Sequence, residues 1–262
     1  MGFSFTIELV VRQIRNATLF IDYAGLKFLI DPVFAQKATY PPFPSLLRAE
    51  EYNPLVDLPV PIEEICHPDA VIITHLHRDH FDKEAALHLE KKIPVFVQNT
   101  EDQETLIKYG FQDVRILDKH TDFHDVILTK TKGQHGYVGK EDLERLGNVC
   151  GVVFRSVSEK TIYLAGDTIW NQDVSDAIES YKPSVIIVNA GANSAMEKQL
   201  IMGKEDVLLV HQKAPSAQLI ATHMEAENHW VLSRKELKAF AKKNGFSDKL
   251  LIPEDGERIY VR

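Results

Sequence analysis

Thr74-His75-Leu76-His77-Arg78-Asp79-His80-Phe81-Asp82 decides how the rest of this chain is read. Three imidazoles and a carboxylate crowd into the stretch from His75 to His80. They follow directly on Ala70-Val71-Ile72-Ile73-Thr74, a run that reads as a buried strand. Packing and solvation give little reason to gather such side chains at a strand end. Imidazole nitrogen and carboxylate oxygen, by contrast, are both good ligands for borderline metals such as zinc. Residues two apart on an extended chain project to one side, which pairs His75 with His77. Asp79 and His80 lie beyond, where the chain is expected to turn. One short loop therefore offers two ligands to one metal and two to a neighbour.

Outward from this loop, β-rich runs come first. Phe5–Val11, Ala17–Tyr23 and Lys27–Ile30 read as strands, with Ala24-Gly25 as a turn. Residues 33–68 hold Pro41, Pro42, Pro44, Pro54, Pro59, Pro61 and Pro68, which break helix and ladder alike. A loop of this length is functional or disordered. Phe34, Tyr40, Phe43, Leu46 and Leu47 give it something to bury, so we expect an ordered wall over a site. Helices are expected over Lys83–Lys92, Glu101–Tyr109 (stopped by Gly110), Asp173–Tyr181, Glu205–Lys213 and Ser233–Lys243. The last of these has Ser233 and Glu236 spaced as a capping box. Strands are expected over Pro94–Val97, Val126–Lys130, Val149–Val157, Thr161–Ala165, Ser184–Asn189, Gln218–Thr222, Lys249–Pro253 and Arg258–Val261. Strands alternating with helices put sheets at the centre and helices outside, a layered α/β protein.

The 262 residues are expected to form one domain over 1–262, and 44% hydrophobic with 26% charged residues is ordinary for a globular chain. A net charge of −8 argues against binding nucleic acid through bulk positive charge. It leaves room for an anionic substrate, because bound cations reverse the local sign of a pocket. Cys66 and Cys150 are too few for a disulfide framework and read as buried hydrophobes in a reducing compartment. MGFSFTIELVVRQIRNA lacks the long apolar run of a signal peptide, and no stretch approaches a membrane span. The expected setting is the cytoplasm, the expected partner a small-molecule substrate, with homo-oligomerisation left open.

His75-Leu76-His77-Arg78-Asp79-His80 matches the HxHxDH signature of the metallo-β-lactamase superfamily. His135 in Lys132-Gly133-Gln134-His135-Gly136, Asp167 in Leu164-Ala165-Gly166-Asp167-Thr168, and His223 in Ile220-Ala221-Thr222-His223 follow in the expected order, each near a strand end. The chain most resembles the branch containing ascorbate-6-phosphate lactonases and N-acyl phosphatidylethanolamine phospholipase D-like proteins; Leu29-Ile30-Asp31-Pro32 resembles an early motif of that branch. The resemblance implies an αββα four-layer sandwich of the metallo-β-lactamase type. It implies one metal on His75, His77 and His135, a second on Asp79, His80 and His223, and Asp167 bridging them.

The chemistry expected is metal-dependent hydrolysis of a small lactone, ester, amide or phosphoester by a metal-bridged hydroxide, with two divalent ions, zinc first and manganese or iron as alternatives. A di-iron redox module and a non-catalytic metal-binding protein are the competing readings on the same fold. Asp79 is the candidate to take or pass a proton, and His229 the candidate acid for the leaving group. Glu225 is a weaker candidate, and Asp31 either orients a ligand or only fixes the turn before Pro32. Three loops, 33–68, 136–146 and 189–194, are expected to select the substrate. Arg78, Lys140, Lys198 and Lys204 are candidates for an anionic group against the commoner reading of solvated charge. His67, His88, His120, His124 and His211 read as solvated or capping, and Trp170 as lining the pocket or packing in the core.

Overall fold

A computed structural model describes residues 9–195 and 198–261, with the side chain of Lys140 excepted. Part of the expected first strand, 5–8, and the candidate Lys140 side chain therefore lie outside what is described.

The first half of the chain builds one sheet. β1 (Leu9–Arg15), β2 (Thr18–Tyr23) and β3 (Leu26–Ile30) form an antiparallel meander. β4 (Ala70–Ile72) follows in parallel, then α1 (Lys83–His88), β5 (Pro94–Val97), α2 (Thr100–Lys108) and β6 (Asp113–Ile116). The second half builds the other sheet. β7 (Thr121–Phe123), β8 (Val126–Lys132), α3 (Lys140–Leu146), β9 (Cys150–Arg155) and β10 (Ile162–Leu164) come first. α4 (Gln172–Tyr181), β11 (Val185–Asn189) and a small ladder of β12 (Ser194–Ala195) with β13 (Lys198–Gln199) come next. α5 (Lys204–Lys213), β14 (Gln218–Thr222), α6 (Arg234–Lys243) and β15 (Leu250–Leu251) complete it, while β16 (Arg258–Val261) returns to pair with β1. The two seven-stranded orders are β16-β1-β2-β3-β4-β5-β6 and β15-β14-β11-β10-β9-β8-β7.

Strand alternation sorts the side chains into layers. Phe28, Ile30, Ile72 and Phe96 of one sheet meet Leu128, Phe154, Leu164 and Ile187 of the other in the central core. Phe28 and Phe154 pack edge to face at 5.3 Å between centroids. The opposite faces carry Leu29, Val71 and Val95 against Ala85, Ala86 and Leu106 of α1 and α2. On the second sheet Ile186, Val188 and Leu219 meet α4, α5 and α6 through Val174, Ile178, Val207, Val210 and Leu237. Helix, sheet, sheet, helix is the αββα sandwich.

Local chemistry explains the boundaries. Asp82 caps α1 by accepting from Ala85 N, and the helix ends at His88, four residues short of the expected Lys92, where the chain turns toward β5. Ser233 and Glu236 form the expected capping box of α6. β6, β7, α3 and the β12–β13 ladder are additions to the sequence reading. β6 is an edge strand with exposed Arg115 and Ile116, and α3 starts at Gly139 with no side-chain cap. Neither carries a clear periodic signal.

The proline-rich segment is an ordered wall. Arg15, 1% exposed, donates Nη2 to the carbonyls of Val33 (3.1 Å) and Ala35 (2.9 Å) and Nη1 to Val56 (3.0 Å). Asp82 accepts from the backbone N–H of Phe34 and Ala35. Asn228 accepts from Phe43 N and donates to Phe43 O, so the tip of the wall is pinned from the far end of the chain. Among the described residues no helix is long and apolar enough to cross a membrane. Arg15→Met keeps the apolar stem but strands two buried carbonyls and a half-buried one, and is expected to cost about 3–5 kcal/mol. Urea unfolding measures the loss, and limited proteolysis should find new cuts within 33–57; an unchanged midpoint would contradict the pinning.

Candidate metal centre

Four strand ends deliver the site. His75, His77, Asp79 and His80 lie on the turn after β4, which stops at Ile72, so the motif starts just past the ladder. His135 lies three residues past β8, Asp167 three past β10, and His223 immediately past β14. C-terminal strand edges are where α/β folds gather ligands.

The turn before Asp167 depends on Gly166. Its φ is +69°, and a Cβ there would sit 2.3 Å from the carbonyl oxygen of Cys150. Only glycine fits both demands. His223 also sits at a positive φ, +58°.

Asp167, 3% exposed, is central. Its Oδ2 lies 3.1 Å from His80 Nε2, 3.7 Å from His135 Nε2 and 3.9 Å from His75 Nε2. Its Oδ1 lies 3.7 Å from His223 Nε2 and accepts from Asn189 Nδ2 at 2.6 Å. Asp79 Oδ2 is 3.3 Å from His223 Nε2. Ligand atoms of three sets converge within 4.8 Å: His75, His77 and His135; Asp79, His80 and His223; and His75, His80 and Asp167. Each set can hold a metal ion.

The donors fit that use. His75 Nε2 is buried with no hydrogen-bond partner among the described residues, while its Nδ1 lies 3.2 Å from Thr74 Oγ1. His80 Nδ1 meets Asp31 Oδ2 at 2.8 Å, and His135 Nδ1 meets the Leu200 carbonyl at 3.1 Å. With Nδ1–H spent on an acceptor, Nε2 is the nitrogen each ring has left for a metal. Asp31 also accepts from Thr74 N (2.7 Å) and Thr74 Oγ1 (2.8 Å), so it both holds His80 and fixes the start of the ligand loop.

Electrostatics follow from burial and crowding. Burial, helped by the neighbouring imidazoles, holds His75 well below the usual histidine range, and burial lowers His77 too. Burial would lower His80 as well, but Asp167 and Asp31 override it and hold the ring well above its usual value. Asp167 and Asp79 stay ionised despite burial, because His80 and His223 stand beside them. Glu227, which the sequence reading passed over, is pushed well up by burial and by the charge of Asp79.

A cavity of about 430 Å³ opens on this cluster, lined by His77, Asp79, His135, Asp167 and His229 among others. All three expected loops supply its wall: Phe43 and Pro44, Arg145 and Leu146, and Asn193. A larger cleft of about 580 Å³ also touches His135 but none of the other cluster residues, which leaves the smaller cavity as the site.

The remaining candidates separate clearly. Arg78 reaches the wall, donating to the Pro41 carbonyl at 2.7 Å with its guanidinium 4.6 Å from the Phe43 ring centroid. Lys198 pairs with Asp142 at 3.0 Å and Lys204 with Glu205 at 3.9 Å. Glu225 turns away from the cavity to bind Arg234 at 2.7 Å, because its φ of +64° redirects the chain. Trp170 packs against the helical face of the second sheet. His229 does reach the cavity, but burial pushes its pKa down to about 4, so it meets a substrate as a neutral ring rather than as an imidazolium acid.

Residues 27–224 match the beta-lactamase superfamily domain, and the chain belongs to that family. UPF0173 protein YddR of Bacillus subtilis is 51% identical over 249 residues, 94% of this chain and 98% of that protein. The crystal structure of an isothiocyanate hydrolase from Delia radicum gut bacteria superposes with a TM-score of 0.92 at 40% identity, over 96% of this chain and 99% of that one. A possible metal-dependent hydrolase from Veillonella parvula superposes with a TM-score of 0.93 at 38% identity, over 96% and 99%. The chain is a metal-dependent hydrolase by family, with a histidine–aspartate cluster that can hold metal.

His80 carries a proton beside Asp167 and Asp31, and a cation taking Nε2 must displace it. Zinc added to metal-stripped protein at neutral pH is expected to release protons. Affinity is expected to fall as the pH falls, because the protonated ring is favoured there. Titration calorimetry in two buffers of different ionisation enthalpy checks both; affinity indifferent to pH would contradict the arrangement.

Proposed function

We propose that this protein hydrolyses small apolar isothiocyanates at a dinuclear centre, with His75, His77 and His135 on one divalent cation and Asp79, His80 and His223 on the other, and Asp167 between them. Zinc is the first choice for so imidazole-rich a set, with manganese or iron as alternatives. The observation that carries the substrate class is the cavity wall. Beyond the polar cluster, and apart from Arg78, Arg145 and Asn193, it consists of Phe43, Pro44, Leu146, Ala195, Leu200 and Ile201, a mostly carbon surface suited to an uncharged organic group. The 40% identical isothiocyanate hydrolase supports the same reading. Arg145 and Lys198 both pair with Asp142, which weakens the case for an anionic substrate.

Bound there, a pair of divalent cations supplies Lewis acidity and brings the ionisation of water from about 15.7 down toward about 7. Asp79, ionised and on the cavity wall, is placed to take the proton that water gives up. The water oxygen bonds to the central carbon of R–N=C=S, the C–N bond breaks, and both water protons end on nitrogen. The products are R–NH₂ and carbonyl sulfide. His229, neutral and packed beside Phe43 at 4.6 Å between ring centroids, shapes the wall next to the cluster. The apolar wall keeps bulk water from competing for these donors. Cys66 and Cys150, buried and unpaired, suit a reducing cytoplasm.

Zinc-loaded protein is expected to release amine from alkyl and aryl isothiocyanates faster than it turns over lactones, thioesters or phosphodiesters. Asp167→Ala is expected to lower kcat/KM on the order of a hundredfold or more, since it removes the group facing four imidazoles. Amine release measured with a colorimetric reagent reads both. Turnover of another class with no action on isothiocyanates would overturn the substrate; full activity in Asp167→Ala would overturn the centre.

A further inference from the structure

Three of the four fully buried histidines of the cluster share one arrangement: Nδ1 rests on an oxygen and Nε2 faces Asp167. The oxygens are Thr74 Oγ1 for His75, Asp31 Oδ2 for His80 and the Leu200 carbonyl for His135. His223 breaks the pattern. Its Nε2 faces Asp79 and Asp167, yet its Nδ1 lies 3.4 Å from the side-chain nitrogen of Asn193. The same nitrogen lies 3.2 Å from His229 Nε2. Asn193 is 1% exposed, and its oxygen is buried without a hydrogen-bond partner among the described residues.

An amide nitrogen can only donate. Two bonds from it would require bare nitrogens at His223 Nδ1 and His229 Nε2. The proton of His223 would then sit on Nε2, the atom aimed at the metal centre, where it blocks ligation. Among the described residues the Asn193 oxygen would remain unsatisfied, and so would an N–H at His229 Nδ1. Amide oxygen and nitrogen are assigned from their neighbours, and here the neighbours demand the opposite assignment. Turned by 180°, the amide oxygen accepts Nδ1–H of His223 and Nε2–H of His229 together. The buried oxygen gains two donors, and Nε2 of His223 is freed for metal.

We infer that Asn193 is a positioning residue whose side-chain oxygen is a shared acceptor, fixing His223 as an Nε2 ligand and tying it to His229 on the cavity wall. The inference rests on the metal centre proposed above. Its local structure supports the role. Leu200 N donates to the Asn193 carbonyl at 2.7 Å, and Ser194 N donates to the His229 carbonyl at 2.9 Å, so backbone fixes both residues. A Cβ at residue 191 would lie 2.4 Å from the Asn193 side-chain oxygen position and 2.4 Å from the His223 carbonyl, so Gly191 leaves the room the amide needs.

Two measurements test this. Long-range ¹H–¹⁵N spectra of zinc-loaded wild-type protein, with His229 assigned through His229→Gln, are expected to show the proton on Nδ1 of His223 and on Nε2 of His229. Zinc affinity by chelator competition is expected to fall about 10–100-fold in Asn193→Leu. It should be kept in Asn193→Asp, whose carboxylate can only accept. If Asn193 were a donor, Asp would be as damaging as Leu, and that result overturns the inference whatever the first variant does. Zinc uptake by the wild type with His223 protonated on Nε2 overturns it alone. No zinc uptake by the wild type sinks the metal centre and this inference with it.

Discussion

A carboxylate with almost no access to water, Asp167, faces four imidazole nitrogens within 4 Å, and the rest of the molecule is arranged to hold it there. Burying an anion is costly unless positive charge or N–H groups surround it. Asn189 supplies one N–H, and the protonated His80 ring supplies charge. That balance is local, yet the partners come from remote parts of the chain. His75 and His80 follow a strand of the first sheet, while His135, Asp167 and His223 follow strands of the second. The cluster therefore exists only when the two sheets face each other in register. The shared core around Phe28, Phe123 and Phe154, where rings interlock edge to face, is what sets that register.

A second constraint runs around the cluster. Apart from a single 3₁₀ turn over Ile62–Glu64 and one Tyr40–Asn53 bridge, the wall over the site carries no regular secondary structure among the described residues, so side chains must satisfy much of its backbone. Arg15, Asp82 and Asn228 do this from three different elements. Each is buried, and each spends all its visible polar contacts on main-chain atoms or on Asn53, none on a possible substrate. Such residues stiffen the cavity without touching what enters it. That is the usual cost of placing recognition on a loop while requiring precision from it.

How much was legible follows from which side chains are expensive to bury. Histidine and aspartate past strand ends have few structural uses, so His75, His77, Asp79, His80, His135, Asp167 and His223 stand out in one dimension and the fold brings them together. Long amphipathic helices such as Asp173–Tyr181 were readable within a residue or so, because burial and period agree there. Short pieces were not: β6 and β7 are held by neighbours in the sheet rather than by their own composition. Glu225 was misread because sequence proximity to His223 says nothing about direction. One residue at positive φ turned it toward Arg234. Asn193 and Asn16 stayed silent for a different reason. Asparagine is common in turns, and only coordinates show Asn16 Nδ2 on the Asp79 carbonyl, or Asn193 between two imidazoles.

The same logic explains why reaction class and substrate were so unequally readable. A metal centre advertises itself through residue types that need a reason to be buried. The apolar part of the cavity wall, on which the proposed substrate rests, is built from Phe43, Pro44, Leu146, Leu200 and Ile201, types that in sequence are indistinguishable from core. Their meaning comes from position alone: they are apolar where the fold leaves a hollow beside buried charge. That contrast is itself chemically useful. Carbon surface next to ionised Asp79 and Asp167 keeps the local dielectric low, and charge interactions there act at closer to their full strength than they would in water. A small electrophile held in such a hollow meets few competing waters and a fixed set of donors. For the isothiocyanate proposed above, that contrast would hold one polarised carbon beside the cluster and leave apolar surface for the group it carries.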